Sequence, residues 1–177
     1  VRLNPHAGAA RAVAEAARNV ACTGARPLAV TDCLNFGNPE RPEIYYQLSQ
    51  AVQGIADACR MFDTPVVSGN VSLYNETPTG PVTPTPVIGM LGLIEDVTKV
   101  VRMGFRDDGD AVFLLGADVA QNAATLGGSE YLAFEHGHEA GMVEVDLDAE
   151  LALIRLLNQA AEGELLQSAH DLADGGL

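Results

Sequence analysis

The chain predicts an α/β protein, in the broad sense that includes α+β folds. Three observations carry this reading. Pro27–Asp32 and the run from Pro65 to Val67 are short and apolar, like buried strands. Between them, from Glu43 to Met61, an amphipathic helix is spelled out by Ile44, Leu48, Val52, Ile55 and Cys59, with Phe62 just beyond, at three- and four-residue steps. Val87–Ile94 reads VIGMLGLI, apolar on both faces, which predicts a buried strand.

Taken in order, Asn4-Pro5 opens a first helix, because Asn caps well and Pro fits the first helical position. Val13, Ala17, Val20 and Ala21 continue it, and Gly24 is placed to end it. The first strand breaks into Cys33-Leu34-Asn35-Phe36-Gly37-Asn38-Pro39, a stretch dense in turn residues. After the second helix, the strand from Pro65 is expected to stop at Ser68-Gly69 and to give way to a polar loop through Glu76. Pro78, Pro81, Pro84 and Pro86 exclude helix or central strand from Thr77 to Pro86. The composition turns charged around Asp96–Asp108, which places a domain boundary there: residues 1–100 and 101–177. Ala111–Gly116 then predicts a strand, Ser129 the cap of a short helix over Glu130–Phe134, and Asp148–Glu162 an amphipathic helix. Leu165–Ala169 predicts a last strand leading to His170-Asp171 and Gly175-Gly176.

The apolar fraction of 47% over 177 residues is ample for a core. A net charge of −14 argues against nucleic acid as a partner, because phosphate backbones need clustered Lys and Arg. A nucleotide stays possible, held by Mg2+ and backbone N–H groups. No apolar run approaches the roughly 20 residues of a membrane helix. The start, Val1-Arg2-Leu3-Asn4-Pro5, has neither a signal-peptide core nor an initiator Met, and the end is a glycine turn, so an excised piece of a longer protein is expected. Cys22, Cys33 and Cys59 lack C-x-x-C spacing and fit reduced core thiols.

The candidate site is PVVSGNVSLYNE, Pro65–Glu76. Gly69 lets a ligand approach backbone, and Asn70, Ser72, Asn75 and Glu76 bring oxygens that suit a hard cation. A polar turn is the alternative reading. Asp32 ends the first strand as Asn70 follows the other, so neighbouring strands would give the two a shared rim; an Asx turn is the alternative for Asp32. His170-Asp171 with Gly175-Gly176 is a weaker second rim, and a structural turn is the alternative there. Leu126-Gly127-Gly128-Ser129-Glu130 carries the same ambiguity, and His136 and His138 read as an exposed polar loop rather than a metal site. No Ser/His/Asp order and no G-x-x-x-x-G-K is present.

Several long stretches resemble phosphoribosylformylglycinamidine synthase, the formylglycinamide ribonucleotide amidotransferase (synthetase subunit II) family of purine biosynthesis. They are Ala14–Asn19, Val30–Glu40 (VTDCLNFGNPE), Ser68–Glu76 (SGNVSLYNE), Thr85–Gly89, Leu126–Tyr131 and Ser168–Gly176 (SAHDLADGG), in that order. The resemblance covers nearly the whole chain, and it is to the second half of an internal pseudo-dimer, with both domains clipped.

The resemblance implies an aminoimidazole ribonucleotide synthetase-like fold, whose N-terminal sheet forms a barrel with a partner and whose C-terminal α/β domain packs beside it. It implies an ATP-dependent carbon–nitrogen ligase. Formylglycinamide ribonucleotide, ATP and glutamine-derived ammonia would give the amidine, ADP and phosphate, with Mg2+ on the phosphates. Position by position, Asp32 and Gly69 match nucleotide contacts, Asn70 a magnesium ligand and Ser72 a substrate contact. The family's catalytic histidine has no counterpart here, and His170 does not fill that role. Where the family pattern has Asp-Pro, this chain has Asn4-Pro5.

Implied partners are the missing first half, a glutaminase subunit and a small accessory subunit, in the cytoplasm. Alone, the chain is expected to be inactive and to form a homodimer that covers its bared sheet face. Two other readings remain: a non-catalytic half with a structural nucleotide, and another ATP-using relative of the thiamine-monophosphate kinase or selenophosphate synthetase type.

Overall fold

In the computed structural model, which describes residues 1–116 and 126–173, Asn4 starts the first helix as its sequence requires. Its side chain accepts the Ala7 N–H at 3.1 Å, and Pro5 takes the first helical position of α1 (Pro5–Cys22). Gly24 follows the helix with φ of 84°. Ala10, Val13, Ala14, Ala17 and Ala21 are fully buried, and these small side chains let the helix lie close to its neighbours.

β1 (Arg26–Asn35) is the middle strand of a three-stranded sheet. α2 (Pro42–Phe62) returns the chain to β2 (Val66–Ser72), which runs parallel to β1. A two-residue hairpin follows, β3 (Glu76–Thr77) with β4 (Gly80–Pro81). β5 (Thr85–Leu93) then pairs antiparallel with the other side of β1, giving the order β2-β1-β5. A 3-10 turn over Val97–Lys99, α3 (Glu130–His136) and α4 (Leu147–Glu162) complete the described elements. Ser129 caps α3 as expected, accepting the Leu132 N–H at 3.2 Å.

The core lies between one face of the sheet and the helices. Val30 and Leu34 of β1 meet Ala10, Val13 and Ala17 of α1 and Ala51, Ile55 and Phe62 of α2, and α4 adds Ile154 and Leu157. Arg18 of α1 bonds Glu150 of α4 at 2.6 Å. α1 and α2 are also joined at the surface, where His6 Nε2 lies 2.9 Å from Asp57 Oδ2. Gln53 and Arg60 donate to the other carboxylate oxygen.

The His6 bond, followed by the Gln53 bond and nearby positive charge, holds the Asp57 carboxyl below its ordinary range. A depressed folded-state value stabilises the fold above the unfolded carboxyl value of about 3.9. That contribution is lost as pH falls through the folded value. Urea midpoints of wild type and Asp57→Asn should therefore diverge at neutral pH and converge in acid below about pH 4. A gap that stays constant down to pH 2 would remove the carboxylate from the explanation.

Several expectations need correction: β1 does not break after Asp32 but continues through Cys33 and Leu34 to Asn35. The chain does not leave the sheet at Gly69: β2 continues through Ser72, because β1 offers backbone partners as far as Asn35↔Ser72. Pairing outweighs the local preference of Gly, Asn and Ser for turns. β5 is not buried on both faces. Pro86, Ile88 and Met90 face the core, but Val87, Leu91 and Leu93 are exposed, since helices cover only one side of the sheet. Ala111–Gly116 is not a strand, and Val112 to Leu115 are exposed. Among the described residues, Leu165–Ala169 makes one bridge, between Ser168 and Arg102. Apolar composition marks both stretches, but a strand also needs a neighbour for its N–H and C=O groups. Gly175-Gly176 lies outside the described residues. Among the described residues, no helix is long and apolar enough to cross a membrane.

Candidate functional site

The two motif stretches meet because β1 and β2 are parallel neighbours. Asp32 pairs with Gly69, Cys33 with Asn70 and Asn35 with Ser72. Side chains alternate along a strand, so these pairs fall on opposite faces in turn. Thr31, Cys33 and Asn35 share the open face with Ser68, Asn70 and Ser72. Ser68 Oγ donates to Thr31 Oγ1 at 2.8 Å, and Asn70 Nδ2 lies 3.4 Å from Ser72 Oγ. Asp32 points the other way, between Val30 and Leu34, on the helix side of the sheet.

The expected rim is thus one place with two faces. Asn70 and Ser72 stand together on the open side. Asp32 sits behind them, its carboxylate lying where a Gly69 Cβ would project. β2 is an edge strand with no side chain at Gly69, so Asp32 can be approached past that edge. A shallow hollow joins the parts; Asp32, Cys33, Gly69, Asn70 and the β5 residues Val87 to Gly89 line it. Partial burial raises the Asp32 carboxyl above its ordinary value. Burial, with the Asp32 charge as a lesser cause, raises the Cys59 thiol on α2. No Lys or Arg lines the hollow.

The remaining polar residues of the motifs build the loops. Phe36 is fully buried. Its N–H donates to the Ser72 carbonyl at 3.0 Å, and its carbonyl accepts the Asn75 N–H at 3.2 Å. Asn75 Nδ2 donates to the Ser72 carbonyl, and Glu76 Oε1 accepts the Asn38 N–H at 3.0 Å. Asn75 and Glu76 therefore tie the two motif loops together here, Asn75 in the turn after β2 and Glu76 at the start of β3. Cys33 is not a core thiol: it lines the hollow, and Asn35 Nδ2 approaches its sulfur at 3.5 Å. His170 is half-exposed beside Asp171, remote in the chain from the hollow. Among the described residues, no three His, Cys, Asp or Glu side chains gather as a metal site; His136 is the last residue of α3 rather than part of a loop, and His138 lies just beyond the helix. Sequence reasoning assigns Thr31, Ser68 and Gly89 no role in the site. Alternation counted back from Asn70 would have found Ser68, but Thr31 and Gly89 need the pairing partners.

The family model for AIR synthase related protein, N-terminal domain, matches residues 1–94. The chain belongs to that family. The AIR synthase related domain thus holds α1 to β5 and the whole of the hollow.

Among curated proteins, the chain is 54% identical to phosphoribosylformylglycinamidine synthase subunit PurL of Chlorobaculum tepidum, over 100% of this chain and 24% of that protein. It spans about a quarter of the length of such relatives. Among solved structures, T. maritima PurL complexed with AMPPCP is similar at 39% identity, TM-score 0.51, over 55% of this chain and 16% of that one. T. maritima PurL complexed with FGAR is similar at 27% identity and TM-score 0.59, over 89% and 21%. PurLQS from Thermotoga maritima is similar at 38% identity and TM-score 0.52, over 56% and 17%. Thiamine monophosphate kinase of Aquifex aeolicus, at 22% identity and TM-score 0.60 over 99% and 54%, shares the fold alone.

Proposed function

We propose that this chain is the part of a phosphoribosylformylglycinamidine synthase that supplies one wall of its nucleotide- and substrate-binding region. The complete protein would be an ATP-dependent carbon–nitrogen ligase of purine biosynthesis, in the cytoplasm. It would turn formylglycinamide ribonucleotide, glutamine-derived ammonia and ATP into the amidine, ADP and phosphate. The observation that carries this is the register of β1 on β2, which sets Asn70 beside Ser72 on one face and Asp32 against Gly69 on the other. Similarity to T. maritima PurL complexed with AMPPCP and with FGAR supports the ligands. Similarity to PurLQS supports the two companion subunits, a glutaminase and a small accessory protein.

In this reading Asp32 and Gly69 contact the nucleotide at the free edge of β2. Asn70 offers its amide oxygen to Mg2+, its nitrogen being turned toward Ser72, and Ser72 contacts the substrate. The ion, when bound, neutralises phosphate charge. The fit is partial: Asn70 is a single neutral donor, and magnesium usually takes carboxylates, phosphates and water as well. With no Lys or Arg in the hollow, the charges that balance the phosphates come from outside this wall. In this reading the part of these residues is to bind and orient. The division into residues 1–100 and 101–177 remains our proposal for its domain organisation.

Calorimetric titration of Mg-ATP into the complete protein tests the assignment. Asn70→Ala should weaken binding at least about tenfold, equivalent to about 1.4 kcal/mol. Unchanged affinity would remove Asn70 from the site. Substrate-dependent phosphate release that survives in wild type and fails in Asn70→Ala would set a catalytic nucleotide apart from a structural one.

The open sheet face bears on the chain by itself. Val87, Leu91 and Leu93 are exposed there, and among the described residues both outer strands have a free edge. Apolar faces and free edges favour association. We propose that the 177-residue chain forms a homodimer through this face, which in the complete protein is covered by its other half. Light scattering should give twice the chain mass, and Leu91→Glu should return a monomer. A wild-type monomer at tens of micromolar would refute this.

A further inference from the structure

The sheet changes parity just before the hollow. Val30 pairs with Val66, but Thr31 pairs with Ser68, so Val67 is an extra residue in β2. Such a bulge turns over every side chain that follows it. Without it, Gly69 and Val71 would face the open side, and Asn70 would turn toward the helices. The placement of Asn70 and Ser72 thus depends on holding one register.

Two contacts hold it at the first pair after the bulge. Ser68 Oγ donates to Thr31 Oγ1 across the strands at 2.8 Å. On the other side of Thr31, its methyl lies against Gly89 of β5, where an added Cβ would come within 2.7 Å of Thr31 Cγ2. The methyl occupies the β5 side and the hydroxyl is directed to β2. A row of Gly89, Thr31 and Ser68 therefore crosses all three strands beside the extra residue.

We propose that Thr31 and Ser68, seated on Gly89, are positioning residues that lock the register of β2 and so aim Asn70 and Ser72 at the ligand. This rests on the reading that Asn70 faces the ligand. Thr31→Val replaces the hydroxyl by a methyl, Thr31→Ser keeps the hydroxyl, and Ser68→Ala removes its partner.

In the complete protein, binding of Mg-AMPPCP is measured by calorimetry, and amide exchange at Asn70 and Val71 by mass spectrometry. Thr31→Val and Ser68→Ala should each weaken binding roughly fivefold, the worth of one net hydrogen bond, and speed exchange at both amides. Thr31→Ser should bind like wild type. Unchanged binding in Thr31→Val, with binding lost in Asn70→Ala, overturns the lock and leaves the site. Equal losses in Thr31→Val and Thr31→Ser also overturn it, because the hydroxyl would not then be the cause. Unchanged binding in Asn70→Ala overturns the reading of the site, and the lock with it.

Discussion

Phe36→Ala will lower the melting temperature by roughly 10 °C, the shift expected for a loss of about 3–5 kcal/mol in a chain of this size. Phe36 is the largest fully buried side chain of the described residues. It lies just past β1 and packs into the core with Leu34 and Ile44. Its backbone N–H and C=O also tie this segment to Ser72 and Asn75. Truncation leaves a cavity where the two motif segments are joined, so the loss is felt in the hollow as well as in the core. Phe134, 87% exposed on α3, is the control, and its replacement by Ala should change stability by no more than about 0.5 kcal/mol. Equal shifts for the two variants in thermal melts would show that Phe36 is not an anchor.

Gly69→Ala is expected to cost about 2–3 kcal/mol and, on the proposal that Gly69 contacts a nucleotide, to abolish its binding. The reason is local crowding, which typically costs 1–3 kcal/mol where extra carbon enters packed space. A Cβ at Gly69 would land on the Asp32 carboxylate and would lie 2.5 Å from the Asp32 carbonyl oxygen. The side chain can swing away, but the carbonyl belongs to the central strand and cannot. Asp32→Ala in the Gly69→Ala background should therefore recover part of the stability and not all of it, a coupling that a double-mutant cycle measures. Full additivity of the two substitutions would mean that the residues do not press on one another.

Much of this was legible in the sequence because its signals are local. Asn4-Pro5 sets the start of α1 through a cap that needs only the next few residues. The three- and four-residue spacing from Ile44 to Phe62 defines α2 to within one residue at either end. The motif wording around Asp32 and Gly69 pointed to two stretches that act together, and the pairing of β1 with β2 brings them together.

What lay beyond the sequence depends on neighbours distant in the chain. Whether Gly69 and Asn70 form a loop or a strand is decided by β1, which supplies hydrogen-bond partners as far as Ser72. Which face Asn70 takes is decided by one extra residue, Val67, and a bulge has no signature in composition. That Asp32 and Asn70 stand on opposite faces follows from the same register. Ala111–Gly116 shows the converse, an apolar run with no strand partner among the described residues. Sequence alone determined the helices and the approximate positions of β1, β2 and β5, because capping, periodicity and turn chemistry act over a few residues. Only the tertiary structure decided which strand lies beside which, which face each side chain takes and which sheet face stays open, because backbone pairing and burial join residues far apart in the chain.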